Sequence, residues 1–264
     1  RISSFDRSSL AGLLTVTLLL APATAPANPA EDYATHCASC HGEDRLGGTG
    51  PALIPETLGR VRGIADVIAH GRPLTQMAGF SDQLTADQIE ALVAHIQTPL
   101  AETPAWTTAD IEASREMVDD YSPAAAPVFD ADPMNITLVV ETGDHHVSVL
   151  DGDRLEVLDR FATPYAVHGG PKFSPDGRHV FIMSRDGWVE KYDIWSLKEV
   201  GRVRAGLNSR NIAMSHDGQW LAVANYLPQT LTILSTETLE PAKVIDVVAR
   251  NGAPSRVSAV SSAS

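Results

Sequence analysis

Cysteine is nearly absent from this 264-residue chain: there are two, Cys37 and Cys40. Two thiols exclude a multi-disulfide scaffold. Aromatic residues are sparse at 6%, and no apolar run reaches the roughly 18 residues that a membrane-spanning helix needs. Positive charge is also short, with 20 Lys+Arg against 33 Asp+Glu and a formal net charge of −13. An acidic surface repels phosphate backbones, so nucleic acid is not expected as a partner. What is present, 44% hydrophobic and 20% charged residues, suits a chain that buries cores and is long enough for two domains.

The N-terminus carries Arg1 and Arg7, then the apolar run Leu10 to Ala21, then small residues and prolines up to Ala30. Basic start, short apolar run and small-residue exit describe a secretory signal peptide over residues 1–27, with an N-terminal anchor or buried helix as the other reading. The mature chain is then expected to begin near Asn28, in the periplasm, with no stable membrane span after cleavage.

Both cysteines fall in Cys37-Ala38-Ser39-Cys40-His41. One short helical turn can present two thiols to the vinyl groups of a haem, with the adjacent His41 beneath the iron. A C-x-x-C redox pair and half of a zinc site are the alternatives. The first lacks a flanking βαβ pattern and the second lacks another ligand pair. A Gly/Pro loop follows, Gly42 to Leu53, then a helical stretch from about Val61 to His70 and a loop from Gly71 to Phe80 carrying Met77. Thr85 caps a last helix, with Gln88 three residues on, and Ile89, Leu92, Val93 and Ile96 form its apolar face. Residues 31 to about 100 thus resemble a class I monohaem cytochrome c domain, with domain bounds of 28–100. The resemblance implies covalent haem c on Cys37 and Cys40, His41 as proximal ligand and Met77 as sixth ligand, with His70 and His95 as rivals.

Residues 101–133 are rich in Pro and Ala, with a short helix expected over Thr108 to Tyr121, and read as a solvated connector, with Trp106 available to pack against either domain. After Asn135 the apolar pattern changes to period two, as in 136–140, 147–150, 179–183 and 188–192. Phe173-Ser174-Pro175-Asp176-Gly177-Arg178 recurs 41 residues later as Met214-Ser215-His216-Asp217-Gly218-Gln219. That spacing is the period of a β-propeller blade. Residues 134–264 hold about three blades, whereas propellers close with about four to eight. On that count the chain is a truncated piece of a longer protein, poorly stable by itself beyond residue 133.

An all-α cytochrome c domain followed by an incomplete all-β propeller of eight-bladed type resembles the cytochrome cd1 family. The specific residues are Tyr165-Ala166-Val167-His168, Arg185-Asp186-Gly187, Asp193-Ile194-Trp195, Asn208-Ser209-Arg210, Ala224-Asn225-Tyr226-Leu227-Pro228 and Glu237-Thr238-Leu239-Glu240-Pro241. The resemblance implies a second cofactor, haem d1 or dihydro-haem d1, with His168 on its iron. Haem d1 bears several carboxylates, which call for guanidinium forks, and Arg185, Arg210 and Arg256 are the candidates. Tyr226 would stack on or hydrogen-bond to the ring. Taken singly, His168 also reads as a buried turn histidine, the arginines as salt-bridge residues and Tyr226 as packing between blades.

Two activities occur in that family: reduction of nitrite to nitric oxide, and oxidation of a propionate of dihydro-haem d1 to an acrylate during haem d1 biosynthesis. The segment from His36 to Leu53, the loop Asn225 to Pro228 and the run Ser255 to Val260 lean towards the second, and a Trp-Pro-Pro sequence after the tyrosine, more usual in a nitrite reductase, is missing. The acid–base residues are expected beyond Ser264, which makes the fragment inactive alone. A non-catalytic electron-transfer or d1-carrier cytochrome is the alternative outside the enzymes. Expected partners are a small periplasmic electron carrier of cytochrome c or cupredoxin type, and haem d1 maturation proteins or a nitrite reductase.

Overall fold

A computed structural model describes residues 28–59, 61–102, 104–141, 144–163, 167 and 170–262. The expected signal peptide and His168 lie outside these residues.

The first described region is helical. Helix α1 (Pro29–His36) opens with the Asn28 side chain accepting from the Glu31 N–H at 3.4 Å and with proline at its first position. Helix α2 (Ala38–His41) carries the second cysteine and the histidine and stops at Gly42, whose φ of 80° favours glycine. A turn of helix, α3 (Pro55–Leu58), precedes α4 (Ile64–His70) and α5 (Ala86–Gln97). The expected cap is in place on α5: Thr85 Oγ1 accepts from Gln88 N–H, and the Gln88 side chain accepts from Thr85 N–H at 3.1 Å. Ile89, Leu92 and Ile96 lie buried against Tyr33 of α1 and Ile68 of α4, with Leu58 and Leu84 completing the core. Helix α4 begins three residues later than its apolar pattern suggests, because Gly63 sits left-handed at its N-cap (φ 64°).

The segment read as a solvated connector is built into the sheet region. Helix α6 (Thr108–Ala113) ends eight residues short of the expected Tyr121, where Ser114 Oγ turns back to the Ile111 carbonyl at 2.7 Å. Strand β1 (Glu116–Met117) follows and pairs with a strand far along the chain. Ile111 is completely buried, and the Trp106 indole donates to the Arg204 carbonyl at 2.8 Å. The helical spacing was too short to show that one apolar residue here belongs to a distant core.

Three antiparallel sheets then succeed one another. The first contains β2 (Ile136–Glu141), β3 (His146–Asp151) and β4 (Val157–Ala162). The second contains β5 (Lys172–Phe173), β6 (His179–Met183), β7 (Trp188–Asp193) and β8 (Lys198–Arg204), in the order β1-β8-β7-β6-β5. The third contains β9 (Asn208–Met214), β10 (Trp220–Leu227), β11 (Thr230–Ser235) and β12 (Pro241–Asp246), in the order β12-β11-β10-β9. These are the three blade-like units that the repeat leads one to expect.

Strand β6 explains how they pack. Val180 and Ile182 join Val147 and Val149 of the first sheet, while Phe181 and Met183 join Ile212, Leu221 and Val223 of the third. A strand sandwiched on both faces reads as a continuous apolar run. Strand β2 has only one covered face and alternates. The repeat itself is a turn. Ser174 Oγ donates to Asp176 Oδ1 at 2.5 Å while Arg178 N–H reaches the same oxygen at 3.1 Å. Ser215, Asp217 and Gln219 repeat this at 2.5 and 3.1 Å. Gly177 (φ 70°) and Gly218 (φ 72°) supply the left-handed residue each turn requires.

Candidate functional site

Two groups of side chains stand out, one in each region. In the helical region His41 is 8% exposed, and its Nδ1 lies 2.7 Å from the Pro51 carbonyl oxygen. A carbonyl can only accept, so Nδ1 carries the proton and the Nε2 lone pair is left for a metal, the usual outer-shell arrangement of a histidine ligand. Burial lowers the His41 pKa, against the Pro51 hydrogen bond, which keeps the ring neutral and able to ligate. Gly50 closes over the ring: a Cβ there would lie 2.5 Å from His41 Cε1. The glycine is therefore required by contact.

Cys37 is half-buried and Cys40 exposed, and the two form no disulfide. Burial, with Asp32 and Cys40 beside it, pushes the Cys37 thiol up to about 11. A redox-active C-x-x-C pair needs a depressed thiol, so the environment opposes that alternative. Among the described residues no group of three or more His, Cys, Asp or Glu could hold a metal, which leaves the zinc alternative without its other ligands. The two thiols and the buried, oriented imidazole on adjoining helical turns fit haem c.

Arg45 was not foreseen. It is 8% exposed, has φ 64°, and its Nη1 donates to the carbonyls of His95 (2.6 Å) and Thr98 (3.0 Å) at the end of α5. A cation there satisfies carbonyls that the helix leaves unpaired and complements the helix dipole. The same residue's carbonyl accepts from Leu53 N–H at 2.8 Å, pinning the Gly-rich loop. An arginine inside a Gly/Pro loop was the available signal. Met77 lies half-buried in its loop, whose neck is closed by Arg72 N–H donating to the Met77 carbonyl at 3.0 Å. Of the rival histidines, His70 is exposed, with Nδ1 3.2 Å from its own helix's Asp66 carbonyl, while the His95 ring packs 5.6 Å from Tyr33.

In the sheet region Arg185, Arg210, Tyr226 and Arg256 come together although they are spread over three segments. Arg210 and Arg256 lie over the Tyr226 ring at 5.3 and 5.6 Å, within cation–π range. The Arg185 backbone carbonyl accepts from Ser209 N–H at 2.9 Å, which fixes the turn after β6 beside the start of β9. Burial and then the like charge of Arg210 hold the Arg185 guanidinium below its ordinary pKa, with Tyr226 acting in the opposite direction. The final segment returns across β10: Val257 N–H donates to the Asn225 carbonyl and Tyr226 Oη to Ser258 Oγ, both at 3.3 Å. That return brings Arg256 in. Among the described residues no acidic side chain forms an ion pair with Arg210 or Arg256. Two guanidinium groups over one ring face, Arg210 and Arg256, have the chemistry to meet an anion. Val167 forms an isolated bridge with Ser184, the residue before Arg185.

Residues 131–264 match the family described as the Cytochrome D1 heme domain, and residues 24–96 match the cbb3-type cytochrome c oxidase subunit III family. Over its sheet region, half of its length, the chain belongs to the cytochrome d1 haem domain family. A haem c domain therefore precedes a haem d1 domain. The chain is 50% identical over 255 residues to a dihydro-heme d1 dehydrogenase of Pseudomonas aeruginosa, covering 95% of this chain and 52% of that protein. A solved structure of dihydro-heme d1 dehydrogenase NirN in complex with DHE superposes with a TM-score of 0.73 at 51% identity, covering 89% of this chain and 52% of that one. The protein NirF of Pseudomonas aeruginosa is 32% identical over 107 residues, 40% of this chain and 27% of that protein. The chain thus spans about half the length of the dehydrogenases it matches.

Proposed function

We propose that the protein to which this chain belongs oxidises dihydro-haem d1 to the acrylate-bearing pigment, and that this chain supplies the electron outlet and part of the substrate cradle. Cys37 and Cys40 hold haem c by thioether bonds, with His41 and Met77 as iron ligands; when bound, that group supplies a one-electron couple. Arg185, Arg210 and Arg256 receive substrate carboxylates, Tyr226 lies against the ring, and His168 ligates the iron of the substrate. Conversion of one propionate to an acrylate removes two electrons and two protons. The electrons leave singly to a one-electron carrier of cytochrome or cupredoxin type. The protons need acid–base groups facing the ring. Residues 1–27 direct export, and the reaction takes place in the periplasm beside other haem d1 maturation proteins; no helix among the described residues is long and apolar enough to cross a membrane.

The convergence of Arg210 and Arg256 on Tyr226, with Arg185 alongside, carries the substrate reading, because a polycarboxylate ring calls for several guanidinium groups on one face. The test is to mix the full-length protein, without oxygen, with dihydro-haem d1 and ferricyanide. The expected product is the acrylate pigment, with two ferricyanide reduced per pigment. Nitric oxide from nitrite without pigment conversion would instead assign the nitrite reductase activity.

A further inference from the structure

The loop that orients His41 and the strand ends that carry Arg210 and Tyr226 meet in a single dry seam. Ala52 and Ile54, both 0% exposed, pack with Leu207 (4%) and Leu227 (2%) in one buried cluster, flanked by Leu46, Leu100 and Trp106. Ala52 directly follows Pro51, whose carbonyl holds His41 Nδ1, and Leu227 directly follows Tyr226. We propose that Ile54 and Leu227 are positioning residues: the seam clamps the Pro51 carbonyl and so sets the orientation of the His41 ring from the sheet region. This rests on the haem c part of the proposed function and does not depend on the tetrapyrrole substrate.

Both sides of the seam are stiff, which is why a contact between apolar side chains can transmit position. On the helical side Arg45 ties the loop to the carbonyl end of α5 and to Leu53, and Gly50 leaves no room above the His41 ring. On the sheet side Leu207 N–H donates to the Leu227 carbonyl at 2.8 Å. Beneath them lies Asn225, completely buried. Its Oδ1 accepts from Ser209 Oγ at 2.6 Å, and its Nδ2 donates to the Ala205 carbonyl (3.1 Å), Thr230 Oγ1 (3.0 Å) and Thr232 Oγ1 (3.1 Å). A fully satisfied buried amide of this kind fixes the strands around it. With the sheet wall fixed by the Asn225 network, removing methyl groups from the seam leaves a gap that is taken up by a small shift of the 50–54 loop.

The experiment uses the full haem c-loaded chain, with no second pigment added, and compares the parent with Leu227→Ala, Ile54→Val and the volume-conserving Leu227→Met. The midpoint potential of haem c and the paramagnetically shifted proton resonances of its histidine ligand are read, with far-UV circular dichroism reporting the fold. Leu227→Ala and Ile54→Val are expected to move both readouts, and Leu227→Met to stay close to the parent, although position 227 is 186 residues away from His41 in sequence. Variants with intact dichroism and with potential and resonances indistinguishable from the parent would overturn the proposal. Should Leu227→Ala fail to fold, the same comparison with Ile54→Val, which removes one methylene, decides it. A parent that is purified colourless refutes the haem c reading and this inference with it.

Discussion

In the helical half, Cys37, Cys40 and His41 occupy five consecutive residues, whereas Arg185, Arg210, Tyr226 and Arg256 in the sheet half span more than seventy. One site is made by a turn of helix and one carbonyl ten residues on; the other exists only when three separate segments are laid side by side. Attachment at the local site should be lost only through its own residues, the distant seam adjusting no more than the setting of His41. The assembled site should be sensitive to any change that shifts one sheet relative to its neighbour.

The largest expected effect follows from the local chemistry. Replacing Cys37 and Cys40 together by Ala removes both thioether bonds, and the protein should carry no pigment through a denaturing gel stained for haem peroxidase activity. Pigment surviving that gel would contradict the attachment. Next, Phe181, 1% exposed between the second and third sheets, should cost about 3–5 kcal/mol on replacement by Ala, read by urea unfolding. The Cys37/Cys40 haem should stay attached in that variant while the arginine surface loses its shape, which separates the two kinds of site directly.

A smaller effect is expected at Arg210. Its guanidinium lies over Tyr226 with no acidic partner among the described residues, so Arg210→Ala should weaken binding of a carboxylated tetrapyrrole by about 1.5–3 kcal/mol, roughly ten- to a hundredfold, by titration of the pigment's absorbance. Arg210→Lys should recover only part, since a point charge cannot make a two-pronged contact. Unchanged affinity in both would remove Arg210 from the site.

The last effect is on stability and depends on pH. Burial, then the Glu199 charge, pushes Glu190 up to about 8, with Arg202 opposing. The folded protein therefore holds Glu190 protonated where the unfolded chain, with an ordinary value near 4.5, has released the proton. That contribution is fully present below about pH 4.5 and is lost progressively as pH rises towards 8. Glu190→Gln should melt like the parent at pH 4 and at a higher temperature at pH 8, by calorimetry. Equal shifts at both pH values would show that the carboxyl is not held neutral.

The helical half was largely legible. The cap of α5, its buried face and the cysteine–histidine box all appear where spacing puts them, because each depends on residues within one or two helical turns. Strands β6 and β7 were legible to within a residue, and the serine–aspartate–glycine repeat marks a turn that occurs twice. Arg45 and Ile111 were not read for what they do, and Trp106 only as packing against one domain or the other. Each acts on a partner 50 or more residues away, on the end of α5, on Arg204 and in the second core. No periodicity within a short window carries such information.

By itself the sequence determined which residues could do chemistry: two thiols beside a histidine, a methionine loop, and arginines able to meet carboxylates. It also determined the two periodicities, 3.6 and 2, that separate a helical half from a sheet half. Tertiary structure alone decided that Arg210 and Arg256 share one tyrosine, that the segment after residue 100 is part of the sheet core, and that the His41 loop abuts Leu207 and Leu227. The reason is the range of the forces involved. Caps, turns and helical faces are settled by neighbours along the chain, whereas burial between sheets brings together whatever apolar surfaces remain, and polar groups carried on those strands are gathered with them.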